Sequence, residues 1–456
     1  MKRWPPLVVV FVAAFVVCAL LTKTHVISWN DGSRFATVES LVDQHTVAID
    51  DSPFLPIIGD WYRYQGKTYS DKPPLLAASG AAVGFVVAPL GITFERYRGL
   101  TIYLVTLFTV GAWFATGCCY VYLFGRLLGY ERRRAYGIAA LSGLATLSLP
   151  YATVLSNHVP CGAAALAACY HAVRARSSAR DAALTGLFGA LAYAFDPTAV
   201  IFVAPLALLM FGAGPRRWIV AIAASIPLLA AQLAYTAGVS GSIIPPAENR
   251  SLWMDPTLPL YATMWAAYAT PTPSEDVRNL VNLLVGGKGL FVYTPLMLIV
   301  VSGLRVMFRT GDLSRRLAAA IVLTFVTLFV LLLVFQNDAT APNFGERRYV
   351  DVFWLLSIAL GPALAQLRTL AQRRIVAVLI GLSILIAMLG VLAPFGGLAG
   401  ESGFIFAFAA FSELAHRSWV QAALDVVLAV AAIVLTLRLL RLESTSVASA
   451  GALEGS

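Results

Sequence analysis

Apolar runs of roughly 15 to 25 residues, many without Lys, Arg, Asp or Glu, recur along this chain, and a helix of that length crosses the roughly 30 Å hydrocarbon layer of a bilayer. Thirteen such blocks lie at about 5–22, 73–92, 99–125, 135–154, 159–173, 182–195, 197–212, 218–236, 290–304, 317–335, 350–367, 375–394 and 419–437. Only 12% of the 456 residues are charged, against about a quarter in soluble domains. So little charge cannot clothe a water-soluble protein, and the expected fold class is all-α and polytopic in the membrane.

Charge placement orients the helices. The first block follows Lys2 and Arg3 like a secretion signal, but no small-x-small cleavage site follows it, so it reads as a retained helix. If all thirteen blocks crossed, Arg132-Arg133-Arg134, Arg216-Arg217, Arg315-Arg316 and Arg373-Arg374 would lie outside, against the positive-inside rule. Block 73–92 opens with two prolines, is rich in Gly and Ala, and ends at Pro89-Leu90-Gly91, which suits an interfacial or re-entrant segment. With it excluded, about twelve helices span and both termini are cytoplasmic. Most of the 33 Lys and Arg then fall inside and most of the 24 Asp and Glu outside. Residues 1–442 form one transmembrane domain, with outer regions at 23–98, 237–289 and 336–349 together with 395–418, and 443–456 reads as a disordered cytoplasmic tail. The scattered Lys and Arg exclude a nucleic-acid partner. All five cysteines lie in apolar blocks and read as packing residues.

The polar chemistry gathers in the first outer loop. Asn30-Asp31-Gly32 marks a turn, and Phe35, Val38, Leu41, Val42 and His45 recur at helical spacing, predicting an amphipathic helix along the membrane surface. Further on, Tyr69-Ser70-Asp71-Lys72-Pro73-Pro74-Leu75 precedes the segment that does not cross.

An acidic residue after the first helix, a surface helix, and Tyr-x-x-Lys-Pro-Pro-Leu before a non-crossing segment resemble the GT-C glycosyltransferases, in the branch of the protein O-mannosyltransferases and the lipid A aminoarabinose transferase. The resemblance implies an inverting transfer of a sugar from a polyprenyl-phosphate donor to a hydroxyl of a lipid, glycan or protein acceptor. It also implies an extracytoplasmic site in a prokaryotic plasma membrane. Asp31 matches the family's general base. Lys72 and the Arg347-Arg348 pair, next to Tyr349, match positions facing the donor phosphate, and His158 is a further candidate there. Arg34, Tyr69, Asp71 and Asn157 are candidates for acceptor or sugar contacts. The chain departs from the pattern where it reads Asn30-Asp31-Gly32 in place of Asp-Glu, and Ser156-Asn157-His158 in place of an Arg-Pro-Asp-like triplet.

Such a transfer needs a carboxylate for the incoming hydroxyl and cations for the departing phosphate. Each residue also has a plainer role open to it: Asp31 as a helix cap, Lys72 as an interfacial anchor, the arginines as a solvated pair beside Glu346 and Asp351, and His158 as a structural histidine. Asp196, before Pro197, reads as a turn residue. Trp253, Tyr261, Trp265 and Tyr268 suit either sugar stacking or an interfacial belt. No cofactor is marked by the sequence; a divalent metal stays open, though no ligand spacing supports one. A polytopic transporter and a catalytically silent scaffold are the competing readings.

Overall fold

The computed structural model describes residues 5–259, 273–335, 343–395 and 418–440. Tyr261, Trp265, Tyr268 and the tail at 443–456 lie outside these residues. Among the described residues the structure is mostly helical, with one two-stranded sheet.

Helix α1 (Pro6–Leu21) starts at a proline, whose missing N–H costs nothing at that position. Helix α2 (Trp29–Asp43) is the predicted surface helix, but it is buried on nearly every side from Asn30 to Ser40. Its hydroxyl face is tied down by Ser33, whose Oγ donates to the Asp60 carbonyl at 2.6 Å and lies 2.6 Å from the Ser70 hydroxyl. The helix ends before His45, which takes a left-handed φ of 56°. The all-α expectation is corrected by a hairpin, β1 (Trp61–Tyr64) with β2 (Lys67–Ser70). Its two-residue turn has positive φ at both Gln65 (47°) and Gly66 (75°), the turn that matches the twist of paired strands.

Helix α3 (Pro74–Val87) occupies the block expected not to cross. Its 14 residues rise about 21 Å, short of a bilayer's hydrocarbon. Its glycines serve packing: a Cβ at Gly80 would lie 2.9 Å from a Val38 methyl, and one at Gly84 would lie 2.7 Å from a Val42 methyl. The small residues that break a transmembrane pattern here let α2 and α3 meet closely.

Among the described residues, five helices are long and apolar enough to cross: α4 (Phe94–Leu127), α7 (Pro215–Ser240), Asp312–Leu333, Leu370–Leu392 and Trp419–Leu440. A sixth is possible if Val277–Tyr293 and Pro295–Arg309, bent by 101° at their junction, count as one broken span. Shorter helices pack between them, including α5 (His158–Arg174) and α6 (Ala179–Phe195). The count of twelve rests on blocks that prolines interrupt. Block 197–212 divides into a 3-10 stretch and an eight-residue helix, and block 350–367 into α8 (Tyr349–Leu356) and a further turn ending in Leu360–Ala365. The spanning helices turn exposed Ile219, Ile222, Ile226, Val378, Leu385 and Val427 outward, so the chain is an integral membrane protein. The five cysteines are free, four of them buried.

Candidate active site

The motif residues of the first loop meet the ends of α5, α6 and α8 around one cavity. Its walls include Asn30, Arg34, Asp71, Lys72, Asn157, His158, Asp196, Glu248, Arg347 and Arg348, with Gln232, Tyr235 and Thr236 from helix Pro215–Ser240.

Arg34 reaches the cavity from α2. It is 1% exposed, and its guanidinium donates to the Asn30 carbonyl at 2.7 Å, to the Asn30 side chain, and to Asn157 Oδ1 at 2.6 Å. Burial lowers its pKa to about 10, opposed by the charges of Asp71 and Asp196, so it stays a cation at neutral pH. Asn157 passes the contact on, its amide donating to Asp196 Oδ2. Asp196 caps the end of α6 and accepts from Thr198 N at 2.9 Å and Thr198 Oγ1 at 2.8 Å. Burial would raise the Asp196 carboxyl, but His158, the two Thr198 donors and Arg348 hold it below the usual range.

Lys72 leaves the hairpin beside this chain of contacts. Its Nζ is 2.7 Å from Asp60 Oδ2 and 3.1 Å from Asp71 Oδ1. Burial raises the Asp71 carboxyl, with the charge of Lys72 opposing. The fixed position of Lys72 is dictated locally: Pro73 and Pro74 start α3 directly behind it, and the Lys72 amide donates to Ser70 Oγ at 3.2 Å.

His158 opens α5 and faces α8. Its Nδ1 lies 3.2 Å from both oxygens of Asp351 and 3.6 Å from Asp196 Oδ2. The two helices approach this closely because of Gly162, where a Cβ would stand 2.7 Å from the Asp351 carbonyl and 2.8 Å from that of Val350. Among the described residues, His158, Asp196 and Asp351 are the group able to hold a metal ion, with all ligand atoms within 4.8 Å of one another. The sequence offered no spacing for such a group because its members are dozens to hundreds of residues apart.

Asp31 takes the helix-cap role that the sequence left open to it. It does not line the cavity. Its Oδ1 accepts from the Ser28 amide at 2.8 Å and the Ser28 hydroxyl at 2.6 Å, and its Oδ2 from the Ile27 amide at 3.2 Å, while its own amide donates to Ser28. This reciprocal capping box starts α2. Asp31 therefore presents no free carboxylate; it fixes the turn from which Asn30 and Arg34 enter the cavity. Tyr69 also lies off the wall, packed against Tyr62 with ring centroids 6.0 Å apart.

Sequence reading missed Glu248 and underrated Asp196 and Asp351. Glu248 closes a short 3-10 turn, Pro246–Glu248, after helix Pro215–Ser240. It is open to solvent within the cavity but surrounded by protein, and burial, with the nearby charges of Asp196 and Asp71, pushes its carboxyl up to about 7 against the pull of Arg348. Pro245-Pro246 ahead of it was the one available signal, a rigid lead-in to a turn.

No family model matches this sequence, and no curated protein matches it. Solved structures do. The crystal structure of ArnT from Cupriavidus metallidurans bound to undecaprenyl phosphate superposes with a TM-score of 0.59 at 14% identity, covering 95% of this chain and 73% of ArnT. The apo state of the same protein gives a TM-score of 0.53 at 17% identity, covering 95% of this chain and 72% of ArnT. ArnT is a GT-C glycosyltransferase. At such low identity the likeness is one of backbone, and on that ground the chain has a GT-C-like fold.

Proposed function

We propose that this protein is a membrane glycosyltransferase that moves a sugar from a polyprenyl-phosphate donor to an acceptor hydroxyl at the extracytoplasmic face, with inversion. The observation that carries the reading is the cavity itself: Arg34, Lys72, Arg347 and Arg348 converge on it, in a GT-C-like fold, with carboxylates on the same walls. ArnT, which shares the fold, is seen with undecaprenyl phosphate. Four cations around one cavity suit a phosphate.

In this reading the acceptor oxygen attacks the anomeric carbon as the bond from that carbon to the phosphate oxygen breaks. Both bonding electrons leave with the polyprenyl phosphate, whose growing negative charge the arginines and Lys72 stabilise. The hydroxyl proton passes to a carboxylate on the opposite side of the sugar. We assign that carboxylate to Glu248 in preference to Asp31. Asp31 is consumed by its cap, Asp71 is paired with Lys72, and Asp196 is held ionised by four donors and charges, which weakens it as a base. Glu248 reaches the cavity with a carboxyl near neutrality, where a general base is most effective. The acceptor is a lipid, glycan or protein hydroxyl.

The test is a panel of polyprenyl-phosphate sugars given to the purified chain, with the anomeric configuration of the product read by NMR. A donor is expected to be consumed with inversion. Retention of configuration, or no consumption of any donor by folded protein that binds polyprenyl phosphate, would refute the reading. Arg348→Ala is expected to weaken donor binding about 10- to 100-fold, the worth of one charge-assisted hydrogen bond, with a smaller effect on acceptor. Donor affinity unchanged in both Arg347→Ala and Arg348→Ala would remove these residues from the phosphate site.

The orientation is tested separately. In a cysteine-free background, Cys introduced at Arg132, Arg216 or Arg373 is expected to resist a membrane-impermeant maleimide added outside intact cells. Labelling at these positions would reverse the assigned sidedness.

A further inference from the structure

We propose that His158, Asp196 and Asp351 form a binding site for one divalent first-row cation, of the zinc or manganese class, set into the inner wall of the cavity. The inference does not depend on the chemistry proposed for the cavity.

Two His–Asp contacts in this protein differ in kind. At the far end of α5, His171 Nδ1 meets a single oxygen of Asp181 at 2.7 Å, and Tyr120 holds the other ring nitrogen at 3.0 Å. That is an ordinary hydrogen bond. At His158, one ring nitrogen faces three carboxylate oxygens, two at 3.2 Å and one at 3.6 Å. A single N–H cannot point at three acceptors, and all three distances exceed the 2.7 to 2.9 Å of a charge-assisted N–H···O bond. Donors about 2.1 Å from a metal, set at tetrahedral or octahedral angles, stand about 3.0 to 3.4 Å apart; the two 3.2 Å contacts to Asp351 fall within that spacing, and the 3.6 Å contact to Asp196 lies about 0.2 Å beyond it.

The surroundings hold the ligands as a metal site needs. All three side chains are buried, and they come from three separate helix ends. Thr198 donates to Asp196 Oδ1 at 2.8 Å and lies 3.5 Å from Asp351 Oδ2, while Asn157 donates to the remaining Asp196 oxygen, so both carboxylates are oriented by outer partners. Two carboxylates with one imidazole form a mixed oxygen and nitrogen set, suited to zinc or manganese. His158 and Asp196 border the cavity and Asp351 lies behind them, which leaves an open position for water or an oxyanion from the cavity side. Arg348 acts on Asp196 and is the competing source of positive charge.

Full-length protein in detergent, stripped with a chelator and dialysed against Zn²⁺ or Mn²⁺, is expected to retain about one ion per chain by elemental analysis. It is also expected to melt higher with the ion and to lose that gain with chelator. X-ray absorption at the zinc edge should show one imidazole and otherwise oxygen ligands. His158→Gln and Asp351→Asn should each weaken the ion by about 100-fold or more while the variants elute and melt as folded protein. If either variant fails to fold, the wild-type absorption spectrum decides, and a site without imidazole overturns the proposal. No stoichiometric ion in the wild type also overturns it. An ion retained unchanged by the folded variants lies elsewhere and overturns it equally.

Discussion

Glu248→Gln is expected to lower turnover of a polyprenyl-phosphate sugar by roughly 10²- to 10⁴-fold and to leave donor affinity nearly unchanged. Glutamine keeps the size and polarity of the side chain but cannot take a proton from the acceptor. The pH profile carries the same prediction in a form that a merely structural role would not reproduce. Burial and the charges of Asp196 and Asp71 raise the Glu248 carboxyl to about 7. Its base form therefore fills in as pH rises through that value, and kcat/KM of the wild type should climb across the same range. In Glu248→Gln that ascending limb should vanish. Asp31→Asn is the contrasting variant: it weakens a helix cap, at a cost of about 1 kcal/mol in stability, and should leave the limb in place. A Glu248→Gln enzyme with near-normal turnover, or an Asp31→Asn enzyme that folds but has lost the limb, would return the base to the first loop.

Trp253→Ala is expected to cost about 3 to 5 kcal/mol, the range for truncating a buried tryptophan, and to reduce turnover with it. Trp253 is fully buried. Its Nε1 donates to the Pro246 carbonyl at 3.0 Å, which closes the turn that carries Glu248. Its ring packs on Tyr62 of β1 at 6.3 Å between centroids, and the Tyr62 hydroxyl donates to the Val239 carbonyl at 3.2 Å. One side chain thus binds the Pro246–Glu248 turn to the hairpin that leads into Asp71 and Lys72. Removing it should loosen Glu248 relative to both. A lower melting temperature with faster proteolysis near residues 246–253 is the expected result. Wild-type stability together with wild-type turnover would show that this clamp is not what positions Glu248.

What the sequence could determine followed from local periodicity and local chemistry. Uncharged runs long enough to cross a bilayer, and Arg pairs between them, are visible without a fold because hydrophobic length and the side on which charge accumulates depend on a few neighbouring residues. The short, proline-led α3 and the rigid Lys72-Pro73-Pro74 approach to it were legible for the same reason. The turn at Asn30-Asp31-Gly32 was legible too, but not which role its acid would take. A carboxylate three residues after Ser28 can serve the solvent or the chain, and the free amides at the start of α2 claim it.

Assembly of the cavity belonged to the tertiary structure. Asp196, Glu248 and Asp351 sit in unremarkable stretches, after a helix, after two prolines and inside an apolar block, and nothing in their own neighbourhoods marks them. Their meeting depends on how closely helices pass one another. Gly162 allows α8 to lie against α5 so that Asp351 meets His158, and Trp253 ties the Pro246–Glu248 turn to the β1–β2 hairpin. Contacts of that kind are set by side-chain volume and shape across elements distant in the chain, which a pattern read along one strand of sequence does not contain.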